Sequence, residues 1–124
     1  MDETLTRLEA LRRARIIADP RKFRDYVLDP ARSGGKGRIF LGTLGFRPYS
    51  TADAWELARL YEEQARESVE SGEVQFSGTI RYGHRFTIVI TVRGVSLRTG
   101  WLFSDDVLRL ITRFSGFAGS NLKG

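Results

Sequence analysis

Apolar residues change their spacing once along this chain, from intervals of three and four to intervals of two, and the change falls at Gly72. From Thr4 to Ile17 the positions Leu5, Leu8, Leu11 and Ile16 recur near helical spacing, and Asp19-Pro20 ends the run. This predicts an amphipathic helix. Pro20 suits the first residue of a short second helix with Asp19 as N-cap; Phe23, Tyr26 and Val27 give it one apolar side, and it should stop by Asp29-Pro30. Ser33-Gly34-Gly35 reads as a hinge. Beyond it Ile39, Phe40 and Leu44 form a short helical face closed by Gly45 as a C′ residue, with Lys36 and Arg38 on the first turn. Ser50-Thr51-Ala52-Asp53 reads as an N-cap with an acidic residue at N3, and Trp55, Leu57, Leu60 and Tyr61 carry a helix to about Val69, ended by Gly72.

From Glu73 the period is two, and four strands are expected. Val74, Phe76, Gly78 and Ile80 share a face of the first; Phe86, Ile88, Ile90 and Val92 form the dry face of the second, with Arg85, Thr87, Thr91 and Arg93 opposite. A Gly94-Val95 hairpin would set Val92 against Leu97, Ile90 against Thr99 and Ile88 against Trp101. The third strand buries Leu97, Trp101 and Phe103. Ser104-Asp105-Asp106-Val107 turns the chain, and the fourth strand buries Leu108, Leu110 and Phe114 with Arg109 and Arg113 outward. Leu110 then faces Trp101 and Thr112 faces Thr99. The fold class expected is α+β, N-terminal helices packed on a four-stranded antiparallel β-meander. It forms one domain over 1–124: 1–72 mainly helical, 73–114 the meander, and 115–124 a loose tail unless Phe117 docks.

Composition narrows the chemistry. Apolar residues at 41% and charged residues at 28% are near globular averages, and no run of about 18 apolar residues occurs, so no membrane segment is expected. The start, Met1-Asp2-Glu3-Thr4, is acidic where a Sec signal is basic, so no such signal is expected in this chain. Absence of Cys excludes disulfides, thiolate catalysis and Cys-ligated zinc, and a single His excludes a His-based metal cluster; neither metal nor cofactor is expected. The net charge of +5 is unevenly spread. Residues 50–77 hold seven acidic residues against two basic ones, whereas 78–124 hold seven basic against two acidic and 31–49 hold four basic and none acidic. Such polarity fits a phosphate-bearing partner on the basic side, or a solvated mixed-charge surface.

Three polar residues interrupt the buried strand face: His84, Thr99 and Thr112. Two opposed Thr can simply hydrogen-bond each other. If instead the helices leave that part of the sheet open, both hydroxyls and a cation from Lys36 or Arg38 can meet a phosphate. His84 is the one side chain whose ordinary pKa suits acid/base work near neutrality, or else a structural His at a strand start. In the expected register it lies six residues, roughly 20 Å, from the level of Thr99, so the two are separate centres. Ser33-Gly34-Gly35-Lys36-Gly37 lacks the GxxxxGK[ST] pattern and its strand-to-helix setting, which excludes a P-loop. No carboxylate pair suited to glycoside hydrolysis is evident. Phe86, Trp101 and Phe103 fall on the core face, so no aromatic platform for single strands is expected.

Five stretches together resemble uncharacterised C-terminal domains of bacterial polymorphic and contact-dependent toxins. They are Lys22-Phe23-Arg24-Asp25-Tyr26-Val27-Leu28, Gly35-Lys36-Gly37-Arg38-Ile39-Phe40 running into Leu44-Gly45-Phe46, Tyr82-Gly83-His84-Arg85-Phe86, Thr99-Gly100-Trp101, and Arg109-Leu110-Ile111-Thr112. Such domains are similar to the barnase/EndoU/colicin/RelE-like (BECR) group of ribonucleases, in which N-terminal helices pack on a four-stranded antiparallel meander. The resemblance implies metal-independent RNA cleavage, with Lys36, Thr99 and Thr112 as catalytic positions and Trp101 supporting; His84, from its own side-chain chemistry, is the competing catalytic candidate. This chain has Gly37 where a larger residue, often Ala, follows the Lys. Arg38, Trp101, Arg85 and Arg113 are the expected substrate-binding residues. RNA and a cognate immunity protein are the implied partners, and the implied location is the cytoplasm, or a target cell's cytoplasm after delivery as part of a larger secreted toxin. The alternative is a noncatalytic module whose basic face, Arg85, Arg93, Arg98, Arg109 and Arg113, docks on nucleic acid or an acidic protein.

Overall fold

The computed structural model describes residues 3–31 and 38–118. Helix α1 (Glu3–Arg13) is followed by strand β1 (Arg15–Ile17), the short α2 (Pro20–Lys22) continuing as π-helical turns Phe23–Val27, a second π-helical segment Arg38–Thr43, and helix α3 (Thr51–Ser71). Strands β2 (Gln75–Ile80), β3 (Gly83–Val92), β4 (Val95–Ser104) and β5 (Val107–Phe117) complete the chain. The architecture is α+β, but the sheet has five strands in the order β1-β5-β4-β3-β2, with β1 parallel to β5 and the rest antiparallel. The expected four-stranded meander is therefore present, with a fifth, parallel strand at its edge.

That fifth strand is built from residues expected to be helical. The first helix stops at Arg13 because α3 captures the chain just beyond it: Arg66 donates to the carbonyls of Arg12 (3.0 Å) and Ala14 (2.6 Å), and Glu62 accepts from the Ala18 amide (2.9 Å). Guanidinium groups suit the free carbonyls of a helix end. Ile16 thereby pairs with Leu108 and packs on the core instead of extending the helix.

The caps form where the sequence places them. Asp19 accepts from the Arg21 amide with Pro20 at the first helical position, Ser50 accepts from the Asp53 amide, and Gly72 closes α3 at φ 83°. Gly45 takes φ 74° after the Arg38–Thr43 turns. Trp55, expected on the apolar side of α3, is 57% exposed, because the face that packs is Ala54, Leu57, Ala58, Tyr61, Ala65 and Val69.

In the sheet, Phe86, Ile88, Ile90 and Val92 are buried as expected, and the helices cover that face. The β3–β4 register differs. The turn is Arg93-Gly94, both at positive φ (48° and 82°), so Val92 pairs with Val95, Ile90 with Leu97, Ile88 with Thr99 and Phe86 with Trp101. Moving the turn by one residue slips the register by two, which keeps every side chain on its face. In β2 a bulge at Ser77 flips the alternation, so Phe76 lies on the Phe86 side while Gly78 pairs with outward Arg85. Leu110 faces Trp101 as expected, and the Asp105-Asp106 turn forms, with φ 53° and 61°. β5 continues to Phe117, whose ring packs on Phe114 at 5.2 Å, so part of the expected loose tail is strand.

Candidate functional site

The residues expected to act together are not brought together. Thr112 pairs with Gly100 and not with Thr99, because β5 advances four residues where β4 advances two from Arg98 to Gly100, and two where β4 advances one from Gly100 to Trp101. These bulges break the alignment that would have opposed the two Thr. Thr99 is completely buried: its Oγ1 donates to the Ile88 carbonyl (2.6 Å) and accepts from Trp101 Nε1 (2.8 Å). Both hydrogen-bonding roles of that hydroxyl are thus filled internally, and Trp101, equally buried, presents no surface to a substrate. His84 stands at the start of β3, its Nδ1 hydrogen-bonded to Thr79 Oγ1 at 2.9 Å and its ring 6.1 Å from Phe76. The corrected register puts it four residues, roughly 13 Å, from the level of Thr99, closer than expected but still a separate place. Lys36 and the Ser33-Gly34-Gly35 hinge lie outside the described residues, and Arg38 is exposed at the start of its π-helical segment.

What the fold does assemble is the sheet's outer face, on which no helix packs among the described residues. The five strands contain arginines and one His and not a single Asp or Glu. Across that face run rows set by the pairing. In one row Leu102 separates Arg85 from Arg109, so the Cα atoms of the two arginines are about 10 Å apart at about 4.8 Å per strand. The next row is Gln75, Thr87, Gly100 and Thr112. Gly100 adds no side chain there; a Cβ would stand 3.1 Å from Thr112 Cβ. The result is a shallow trough with Thr87 and Thr112 on its flanks, and Ser77 Oγ lies 2.8 Å from Thr87 Oγ1. The third row holds Val89, Arg98 and Gly116, and the guanidinium of Arg98 lies where a Cβ on Gly116 would be. Arg93 was expected on this face. Its place in the turn sends it the other way, donating to the Leu44 carbonyl at 2.6 Å and lying 3.8 Å over the Phe46 ring.

Residues 7–116 match a family described as a domain of unknown function, DUF6883. The chain belongs to the DUF6883 family. No curated protein and no solved structure matches it. The DUF6883 match takes in the three rows of the outer face and the Pro20–Val27 segment.

The second place is a cleft of about 530 Å³ at the β5 edge, beyond the end of β1. Sequence reasoning set Arg113 outward beside Arg109. The bulges turn it instead under the α2 segment, where its Cζ lies 5.3 Å from the Tyr26 ring centre. Tyr61, buried against Phe23, donates its hydroxyl to the Arg113 carbonyl at 2.8 Å and so anchors the bulge. Arg113 is half-buried, and its Nε is inaccessible with no hydrogen-bond acceptor among the described residues. Desolvation pushes the Arg113 guanidinium below its ordinary pKa, and burial pushes the Tyr61 phenol up. Lys22 and Tyr26 line the cleft, and neither was singled out as a site residue from sequence, although both lie in the Lys22–Leu28 stretch. Among the described residues no three His, Asp or Glu side chains come together as a metal-ligand set, and no helix is long and apolar enough to cross a membrane.

Proposed function

We propose that this domain cleaves RNA by metal-independent transesterification, with the strand bound across the outer face of the sheet. The observation that carries this reading is the sign of that face: Arg85, Arg98 and Arg109 surround a hydroxyl-flanked trough, and no carboxylate on any strand neutralises them. Phosphate contacts supply most of the affinity of a protein for nucleic acid, and uncompensated arginines on a flat face provide them. In the reaction the ribose 2′-oxygen attacks its neighbouring phosphorus as the 2′ proton passes to water. The bond to the 5′-oxygen breaks and that oxygen takes a proton from water, giving a 2′,3′-cyclic phosphate and a 5′-hydroxyl end. Arg85 and Arg109 would stabilise the charge on the pentacoordinate phosphorus, and Thr112 would donate to a nonbridging oxygen. The sequence resemblance adds Lys36 to this set, and delivery as a toxin domain held inactive by an immunity protein belongs to the same reading.

The dispersal of His84, Thr99 and Thr112 favours a second reading, a noncatalytic module that holds nucleic acid or an acidic protein on the same face. Incubating the purified protein with total RNA in EDTA separates the two. Fragments with cyclic-phosphate ends, lost in Arg109→Ala, are the expected result. RNA binding that falls with salt, without cleavage, would leave the second reading standing for nucleic acid. Absence of both cleavage and binding at low salt overturns the RNA reading.

A further inference from the structure

The cleft under α2 contains a cation for which the described residues provide no anion. Its two carboxylates are paired with other guanidinium groups: Asp19 holds Arg21, which lines the same cleft, at 3.0 Å, and Asp25 holds Arg24 at 2.7 Å. Arg113 meanwhile has given up part of its hydration, and its Nε has no acceptor. A buried charge is ordinarily compensated by a hydrogen-bonded partner of opposite sign. The Tyr26 ring beside the guanidinium and the Tyr61 hydroxyl on the Arg113 carbonyl restrict this side chain before any ligand arrives.

We propose that this cleft binds a phosphate group, with Arg113 as its main contact and Lys22 as a second cation. A guanidinium fork matches the oxygens of a phosphate, and Lys22 adds the compact second charge that a doubly charged group calls for. The volume of about 530 Å³ falls within the usual range of small-ligand sites, roughly 300–1,000 Å³. The phosphate can be the terminal group of a nucleotide or an internal phosphodiester. The site does not depend on RNA cleavage, since a protein that never cuts RNA can still bind phosphate here.

The test follows the backbone amide resonances of Tyr26 and Phe114 by NMR, and in the unsubstituted protein the Arg113 Nε–H as well, during titration with inorganic phosphate, a nucleoside 5′-monophosphate, and a dinucleoside monophosphate lacking a terminal phosphate. Saturable shifts with phosphate and the nucleoside monophosphate are expected, weakened at least about tenfold by Arg113→Ala and less by Lys22→Ala. Equal binding of the dinucleoside identifies an internal phosphodiester as the ligand, and its failure to bind identifies a terminal phosphate. Arg113→Lys keeps the charge and loses the fork. It serves if Arg113→Ala does not fold, and it too should bind more weakly. No shift with any probe at tens of millimolar, or unchanged affinity in a folded Arg113 variant, overturns the site. RNA cleavage measured on the same samples is a separate result: its absence beside intact phosphate shifts would overturn the activity and leave the site.

Discussion

At the scale of single residues, the same side-chain chemistry does different work according to whether its hydrogen bonds are already filled. Thr99 and Thr112 read alike in the sequence; Thr99 is a satisfied core hydroxyl and Thr112 a half-buried one on the trough. Asp53 is another such case. At N3 of α3 it does not complete a capping box, because its carboxylate accepts from the Arg47 amide (2.7 Å) and guanidinium (2.9 Å), which ties the loop before α3 to the helix. The Arg47 hydrogen bonds hold the Asp53 carboxyl below its usual pKa. A lowered folded-state pKa means stability that is present above the ordinary carboxylate value near 4 and lost as pH falls through the folded value. Asp53→Asn should therefore cost about 1 kcal/mol near pH 7 and progressively less below pH 4. Denaturant unfolding of both proteins at pH 7 and pH 3 checks this. An equal difference at the two values would show that the ionised carboxylate is not what stabilises the loop.

At the scale of elements, the two bulges of β5 decide which arginines share a face. Without them Arg109 and Arg113, four residues apart in an extended strand, would both project outward. With them, Arg109 stays on the outer face and Arg113 enters the cleft, 5.3 Å from the ring of Tyr26. The bulge is maintained from the helix layer through Tyr61, whose hydroxyl satisfies the Arg113 carbonyl that the irregular ladder leaves available. Tyr61→Phe keeps the ring against Phe23 and removes that bond. It should cost about 1 kcal/mol of stability and accelerate amide exchange around Arg113 and Phe114. Exchange rates there that match wild type, with the stability loss spread evenly, would assign the bulge to β4–β5 pairing alone.

At the scale of the whole molecule, α3 and the far face of the sheet carry opposite charge. The outward side of α3 presents Glu56, Glu63, Glu67 and Glu70, while the far face of the sheet presents Arg85, Arg98 and Arg109. Such a field orients an approaching polyanion toward the sheet. If RNA lies there, each arginine that meets a phosphate contributes about 0.7 to the slope of log affinity against log salt. Arg85→Ala and Arg109→Ala should each flatten that slope by about this amount, whereas Glu63→Gln should leave it unchanged and raise the association rate. Titrations at several salt concentrations measure both. A slope unaltered by either arginine would move the RNA off this face.

The sequence by itself determined what local periodicity and local chemistry determine. The change of period at Gly72, the Asp19 and Ser50 caps and the alternation of Phe86 to Val92 all appear in the structure, because each depends on residues a few positions apart. Tertiary structure alone decided the rest. Arg15–Ile17 is a strand because Arg66 and Glu62, some fifty residues away, bind the backbone on either side of it. The β3–β4 register depended on whether Arg93 or Val95 joined Gly94 in the turn, a choice that leaves the alternation of faces unchanged and therefore leaves no trace in the pattern. The bulges of β5 have no sequence signature here, yet they part Thr112 from Thr99 and Arg113 from Arg109. The candidate site was thus legible as a set of basic strands, and its geometry was not. Charge is a property of residues, whereas the side of the sheet on which each charge stands is set by how distant strands pair.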